Sequence, residues 1–234
     1  MIPWLEPGDA FPPVTQALDE PNGLLAAGLE LTPQRILDAY RQGIFPWFSE
    51  GEPVLWWSPD PRMVLVPSEI RITPSMRKVL RNRPYEVRCD TAFEQVMQLC
   101  AEPRDGQRGT WISEPMIAAY CTLHAQGWAH SVETWVEGEL VGGLYGMAIG
   151  RMFYGESMFS RVRDGSKIAL VHVARYLESQ GVELIDCQMN TAHLASMGGR
   201  EIARSEFCRV LSQSVLSAHP RRWRPDEIPH YFRD

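Results

Sequence analysis

The sequence lacks the short signatures that announce bound phosphates and metals. Neither G-x-x-x-x-G-K-[ST] nor G-x-G-x-x-G occurs, which excludes the two common nucleotide-phosphate loops. There is no H-E-x-x-H, and His124 and His130 are six residues apart. The five cysteines, Cys89, Cys100, Cys121, Cys187 and Cys208, form no C-x-x-C pair. Zinc-ligand spacing is therefore missing, and no metal or other cofactor is expected. An odd number of unpaired cysteines predicts free, mostly buried thiols in a reducing compartment. The opening MIPWLEPGDAF has no basic start and no long apolar run, unlike a signal peptide. No stretch approaches the ~18 apolar residues needed to span a bilayer. The expectation is a soluble cytosolic chain with no membrane partner. With no heptad pattern and no exposed apolar stripe, it is expected to be a monomer.

What is present is an ordinary globular composition. Of 234 residues, 44% are apolar and 22% charged, enough to bury a sizeable core. Eighteen prolines and eight tryptophans are high for this length, and Trp4, Trp47, Trp56 and Trp57 all lie in the first quarter. An aromatic, proline-rich opening suggests a packed, loop-rich subdomain, and the prolines at 46, 53, 59 and 61 place its boundary near Pro61. Net charge is −6, which alone argues against a nucleic-acid partner. The charge is uneven, however. Arg71, Arg77, Lys78, Arg81, Arg83 and Arg88 stand against the single acid Glu86, so residues 71–88 carry +5 and the rest −11. Such a face is either a solvated surface or a grip for RNA.

The periodicities predict a mixed α/β chain. Thr32-Pro33 opens a short helix that Gly43 closes. Met63 to Val66 reads as a strand, and Ser75 to Asn82 as a helix with Met76, Val79 and Leu80 inward. Tyr85 to Cys89 is strand-like. Asp90 or Thr91 is expected to cap a helix with Phe93, Val96, Met97 and Cys100 inward, and Ser113 to cap another that Gly127 ends. Ser131 to Val136 and Leu140 to Ile149 form a hairpin about Glu137-Gly138-Glu139, followed by a strand from Arg151 to Gly155. A long helix over Ser166 to Gln180, a strand over Val182 to Cys187 and a helix over Ser205 to Leu216 complete the order. Hairpin, strand, helix, strand, helix is also the order of GNAT-like acyltransferases, an analogy of fold alone.

Three segments place dense polar groups in apolar surroundings: Tyr154 to Ser160, Ile185 to Asn190, and Gly109 to Ser113. Glu156 and Asp186 fall at the ends of two strands that a helix would connect in parallel. Ligands bind at the C-terminal edge of such a sheet. The two carboxylates either orient an amine and handle its proton, or cap the helices that follow. Gly155-Glu156-Ser157-Met158-Phe159 misses the nucleophile elbow G-x-S-x-G by its last glycine, and His193 follows Asp186 too closely for a convincing triad. Cys187 reads as a buried, inert thiol rather than a nucleophile. Residues 160–167 lack the R-x-x-G-x-G/A expected of an acetyl-CoA user, so a CoA-dependent N-acyltransferase is the lesser alternative. Trp47, Trp56, Trp57 and Trp111 either stack on nucleic-acid bases or fill the N-terminal core, the latter suiting Trp56 and Trp57. A non-catalytic tRNA-binding module is a further alternative, but leaves the polar strand ends without a task.

Glu20 to Leu25, Gly43 to Phe48, Leu55 to Arg62, Gly109 to Ile112, Ala129 to Glu133, Leu140 to Gly146, Gly155 to Ser160 and Leu184 to Gln188 together closely resemble the leucyl/phenylalanyl-tRNA–protein transferases. The similarity runs in order from about Pro21 to about Ile202. It implies a small N-terminal domain (residues 1–61) and a GNAT-like acyltransferase domain (residues 62–234). It implies transfer of Leu, Phe and, less well, Met from aminoacyl-tRNA to proteins beginning with Arg or Lys, which marks them for N-end-rule degradation. Because an aminoacyl ester is already activated, such transfer needs no cofactor. By resemblance, Asp186, Gln188 and Glu156 belong to the reaction centre, with Asp186 holding Gln188 as an orienting acceptor and Glu156 positioning the amine. Trp47, Trp111 and Tyr120 match positions around the terminal adenosine. Leu144, Met158, Leu170, Val173, Leu177 and Ile185 match the lining of the aminoacyl pocket. Arg77, Lys78, Arg81 and Arg83 match a basic patch for the tRNA acceptor stem. The pattern departs at Val173 and Leu177, where the family carries aromatics, which implies a roomier pocket.

Overall fold

A computed structural model describes residues 2–103, 111–216 and 219–232. Residues 4–57 build a small four-stranded sheet. Its elements are β1 (Trp4–Leu5), β2 (Leu24–Gly28), helix α1 (Pro33–Tyr40), β3 (Phe45–Pro46) and β4 (Val54–Trp57), in the sheet order β1-β2-β4-β3. The helix begins as the sequence predicts. The Thr32 side chain accepts the N–H of Arg35, and Pro33 occupies the first turn, where no donor is needed.

The rest forms a seven-stranded sheet. In chain order it contains β5 (Arg62–Leu65), α2 (Pro74–Asn82), β6 (Glu86–Cys89), α3 (Phe93–Ala101), α4 (Glu114–Ala125), β7 (Ala129–Val136) and β8 (Glu139–Ile149). Then follow β9 (Met152–Ser160), α5 (Gly165–Ser179), β10 (Leu184–Gln188), α6 (Ala192–Ser196), β11 (Arg200–Ile202) and α7 (Arg204–Ser214). The strand order is β11-β5-β10-β9-β8-β7-β6. The expected hairpin is β7–β8, turning at Glu137 and Gly138, both at positive φ. The expected parallel pair is β9–β10, joined by α5, and the other pairings in this sheet are antiparallel. The mixed α/β class and the hairpin–strand–helix–strand–helix order are thus present.

Alternation along the central strands sorts the core into two clusters. Val64, Met152, Tyr154 and Leu184 join Leu25, Ile36, Tyr40 and Trp56 from the small sheet. Met63, Leu65, Phe153 and Ile185 face α5 and pack with Leu170, Val173 and Leu177. The start of α5 lies directly on β8. A Cβ on Gly142 would stand 2.4 Å from the carbonyl carbon of Gly165, so this approach requires glycine. The segment 219–232 straps the sheet edge, with Trp223 stacked on His130 at 4.1 Å and Cys89 donating its N–H to the Pro225 carbonyl. No helix among the described residues is long and apolar enough to cross a membrane.

The structure corrects several local expectations. The strand expected to end at Gly155 continues to Ser160, and the final helix stops at Ser214. The cap expected from Asp90 or Thr91 is not made by either. Ala92 occupies the N-cap of α3, and the buried Glu133 on β7 takes the N–H groups of Thr91 and Ala92. Glu133 also accepts from the hydroxyls of Thr91 and Ser131 and from the indole of Trp135. Ser113 sits at the N-cap of α4 but makes no side-chain cap bond. An acid brought from a distant strand thus does what the local sequence was expected to do. Glu133→Ala is expected to leave these donors without an acceptor and to destabilise the fold by about 3 kcal/mol or more, measured by urea unfolding. A loss below ~1 kcal/mol would show that water replaces the carboxylate.

Candidate functional site

Strands β9 and β10 pair through Leu184–Met152, Ile185–Phe153 and Asp186–Tyr154, and each then bulges. On β9 the register against β8 slips at Glu156, since Tyr145 faces Ser157 while Gly146 faces Gly155. On β10 the register against β5 slips between Asp186 and Gln188. A bulge adds a residue, bends its strand and re-aims the side chains around it. Here the extra residue lets Tyr154 and Phe159, five positions apart, both join the core that includes Tyr40, while Met158 joins the α5 side opposite Leu144. The polar groups that the sequence singled out therefore gather at the C-terminal end of the parallel pair, where such sheets place ligands.

Glu156 does not cap a helix. Its carboxyl receives the Tyr40 hydroxyl at 2.5 Å and the Tyr120 hydroxyl at 3.3 Å, and the two phenols bond each other at 2.8 Å. Burial pushes the Glu156 carboxyl up to about 8, and the nearby charge of Asp186 adds to the rise, while the Tyr40 bond opposes it. Tyr40, Tyr120, Tyr145 and Tyr154 are held well above the ordinary phenol range, first by burial and then by the neighbouring carboxylates, so all stay protonated donors.

Asp186 does not cap a helix either. It forms a two-point ion pair with Arg62, Nε to Oδ1 at 2.8 Å and Nη2 to Oδ2 at 2.7 Å, and both side chains are 0% exposed. Burial works against the Arg62 charge, but Asp186 more than offsets it and leaves the guanidinium pKa above its ordinary value. Arg62 also donates to the Gly43 carbonyl at 3.0 Å and lies between the rings of Phe45 and Phe207. The second bond of Asp186 Oδ1 comes from the backbone N–H of Gln188 at 3.0 Å. Asp186 thus meets Gln188 through the main chain and not through the side-chain amide. Gln188 has φ +56, and its Nε2 is buried without a partner.

Tyr120, which the resemblance places near the adenosine, is 0% exposed, and its hydroxyl bonds Glu156. Trp47 is 39% exposed and meets Trp57 edge to face at 5.5 Å, while Trp56 fills the small core against Phe11. Trp111 is half-buried against the same core as Tyr120. Gly109 and Thr110 lie outside the described residues. The six apolar positions come together: Leu144, Leu170, Val173, Leu177 and Ile185 are each 4% exposed or less, and Met158 packs against them. Arg77, Lys78, Arg81 and Arg83 are all exposed; the first three line a surface hollow of about 390 Å³ with Pro74 and Asn82. Arg83 donates to the Arg163 carbonyl.

Two residues at the centre, Tyr40 and Arg62, were missed as functional candidates. Tyr40 looks like one more apolar position of α1. Arg62 opens an apolar strand, a faint sign that its charge is answered inside. The other chemistries lose their parts. Asp186, committed to Arg62, cannot serve His193, and burial pushes the Cys187 thiol far up. No cluster of three potential metal ligands occurs among the described residues.

The raised Glu156 pKa has a consequence for stability. In the unfolded chain this carboxyl titrates at about 4.3; in the fold it titrates at about 8. Between those values the folded protein holds a proton that the unfolded chain has lost, so stability falls as pH rises through this window. Glu156→Gln is expected to remove that fall. The urea midpoint of the variant should change less between pH 6 and pH 8.5 than that of the unsubstituted protein, and equal changes would refute the raised pKa.

Comparison with known proteins identifies the family. The family model described as leucyl/phenylalanyl-tRNA protein transferase matches residues 64–212, and that of its N-terminal domain matches residues 30–60. A leucyl/phenylalanyl-tRNA–protein transferase of Chromobacterium violaceum is 62% identical over 222 residues, covering 95% of each chain. One of Nitrosomonas europaea is 63% identical over 224 residues, again 95% of each. Among solved structures, a conserved protein of unknown function from Bacteroides thetaiotaomicron has a TM-score of 0.45 at 14% identity, covering 68% of this chain and 57% of its own. A GCN5-related N-acetyltransferase from Kribbella flavida has a TM-score of 0.37 at 10% identity, covering 77% and 65%. Matched along most of its length by both family models and by relatives above 60% identity, the chain belongs to the leucyl/phenylalanyl-tRNA–protein transferase family and is an aminoacyltransferase.

Proposed function

We propose that the enzyme moves Leu, Phe and, less well, Met from aminoacyl-tRNA to the α-amino group of proteins beginning with Arg or Lys. It would act as a cytosolic monomer and mark its acceptors for N-end-rule degradation. The observation that carries this reading is the pair of carboxyl groups where β9 and β10 part, with an apolar cluster on the other face of the same strands. The aminoacyl side chain would enter the cluster of Leu144, Met158, Leu170, Val173, Leu177 and Ile185. The side chains at 173 and 177 are aliphatic and smaller than aromatic ones, and a flexible Met at 158 suits two shapes of donor. The exposed Trp47, with Trp111, would stack on the terminal adenine. Arg77, Lys78 and Arg81, with Arg83 beside them, would neutralise acceptor-stem phosphates without reading sequence.

The proton inventory favours Glu156 as the group facing the amine. An α-amino group titrates at about 7.7–8.0, close to the value of about 8 for Glu156. Matched pKa values make proton exchange between them nearly isoenergetic. The amine nitrogen attacks the ester carbon, the C–N bond forms and the C–O bond to the ribose breaks. The amine proton passes through Glu156 to the departing ribose oxygen. In its ionised form Glu156 would also attract a cationic first residue, for it forms no ion pair among the described residues. A CoA donor is less well served. The N–H of Ser166 at the start of α5 is already taken by the Ser160 hydroxyl, and Gly142 fills the space against Gly165.

Purified protein, radiolabelled Leu-tRNA and a peptide beginning with Arg should give labelled peptide, while a Met-initial peptide should stay unlabelled. No label, from a folded preparation that binds the tRNA, would overturn transfer. If Glu156 takes the proton, two groups must be deprotonated, so log kcat/KM should rise toward pH 7 with a slope near 2. In Glu156→Gln the slope should fall to about 1, with a lower plateau. An unchanged slope would remove Glu156 from proton transfer.

A further inference from the structure

We propose that Arg62 is a positioning residue for aminoacyl transfer. By gripping Asp186 it fixes the backbone of Gln188, and so sets the Gln188 amide at the reacting ester. The proposal rests on the transfer reading above for its reaction, and on geometry alone for its linkage.

Each link is a named contact. Every terminal nitrogen of Arg62, together with Nε, has a protein acceptor: Nε and Nη2 on Asp186, Nη1 on the Gly43 carbonyl. With Phe45 and Phe207 on either side and 0% exposure, it has no surface for substrate. It therefore acts through what it holds. Asp186 accepts three N–H groups on its two oxygens, two from Arg62 and one from Gln188, and is also 0% exposed. A carboxylate held from three directions in this way is fixed in place, and it fixes in turn the backbone N–H that it accepts.

Gln188 is the residue that needs holding. It follows the bulge in β10 and has φ +56, a conformation that a side chain with a Cβ rarely adopts unaided. The bond from its N–H to Asp186 Oδ1 spans two residues, the pattern by which Asp stabilises a local turn. One end of its amide is buried and unpartnered, which is costly unless something comes to meet it. An ester carbonyl that becomes an oxyanion is such a partner, and a preorganised donor is most effective there. The linkage thus runs from the Gly43 turn through Arg62 and Asp186 to the Gln188 backbone, and joins the small sheet to the reacting centre.

The test uses the full chain with Arg62→Lys, which keeps the charge but loses the two-point fork, and with Arg62→Gln, Asp186→Asn and their double substitution. Three readouts are needed: hydrogen exchange at the Gln188 amide, kcat and KM for Leu-tRNA, and the pH–rate profile, with thermal melting as the check of folding. Arg62→Lys should speed Gln188 exchange and lower kcat, each by about tenfold or more, with KM for the tRNA within about twofold. Its pH–rate profile should drop in height without moving. The double substitution should be about tenfold more active than Asp186→Asn, since it keeps hydrogen bonds without a lone buried charge. Unchanged Gln188 exchange in folded Arg62→Lys would overturn the linkage. Unchanged kcat would overturn its bearing on the reaction, and a shifted pH limb would overturn a role confined to positioning. If Arg62→Lys does not fold, the double substitution against Asp186→Asn decides. If the unsubstituted protein transfers nothing, the functional reading falls and Gln188 exchange alone judges the linkage.

Discussion

The ion pair between Arg62 and Asp186 is the contact on which the architecture of the site depends. Two charges fully removed from water cost several kcal/mol each, and their attraction repays this only with good geometry and further hydrogen bonds. Both conditions are met. The fork is two-pointed, the remaining guanidinium donor has the Gly43 carbonyl, and aromatic rings cover both flanks. The pair therefore specifies more than it stabilises. It holds β5 beside β10, where Asp186 already faces Val64, and brings the Gly43–Phe45 turn of the small sheet against the large one. A hydrophobic pair of the same volume could fill the space but could not fix the Gln188 backbone.

Two bulges convert this packing into a site. A regular strand would send alternate residues to opposite faces without interruption. The extra residue at Glu156 breaks that parity, so that the carboxyl stays with the tyrosines while Met158 turns toward α5. The second bulge, in β10, separates Asp186 from Gln188 in the same way. Polar groups and apolar packing are thereby placed a few positions apart in the chain, on opposite sides of one pair of strands.

The two carboxyl groups, although neighbours in space, have different environments and different capacities. Asp186 is neutralised by a fixed cation, whereas Glu156 has only hydroxyls for company and rises to about 8. The difference lies in the partner that each one meets, a fixed cation for Asp186 and two phenols for Glu156.

Much of the framework follows from local residue patterns. Thr32 and Pro33 start α1, Glu137 and Gly138 turn the β7–β8 hairpin, and the apolar stretches of β9, α5 and β10 require a parallel unit with a helical connection. These depend on dihedral preferences and periodicity over a few residues, and those are properties of the sequence itself. The polar strand ends were visible for the same reason, since acids in apolar strands stand out. What the chain could not show by itself was which partner each acid would meet. Arg62 is 124 residues from Asp186, Tyr40 is 116 from Glu156, and Glu133 reaches back 42 to Thr91. The capping role allowed for Glu156 and Asp186 gave way once folding brought those groups to distant partners. A buried charge or hydroxyl takes the best partner that packing delivers, however far away in sequence. Local pattern determined the elements, and the tertiary structure alone decided the pairing, the burial and hence the proton affinities.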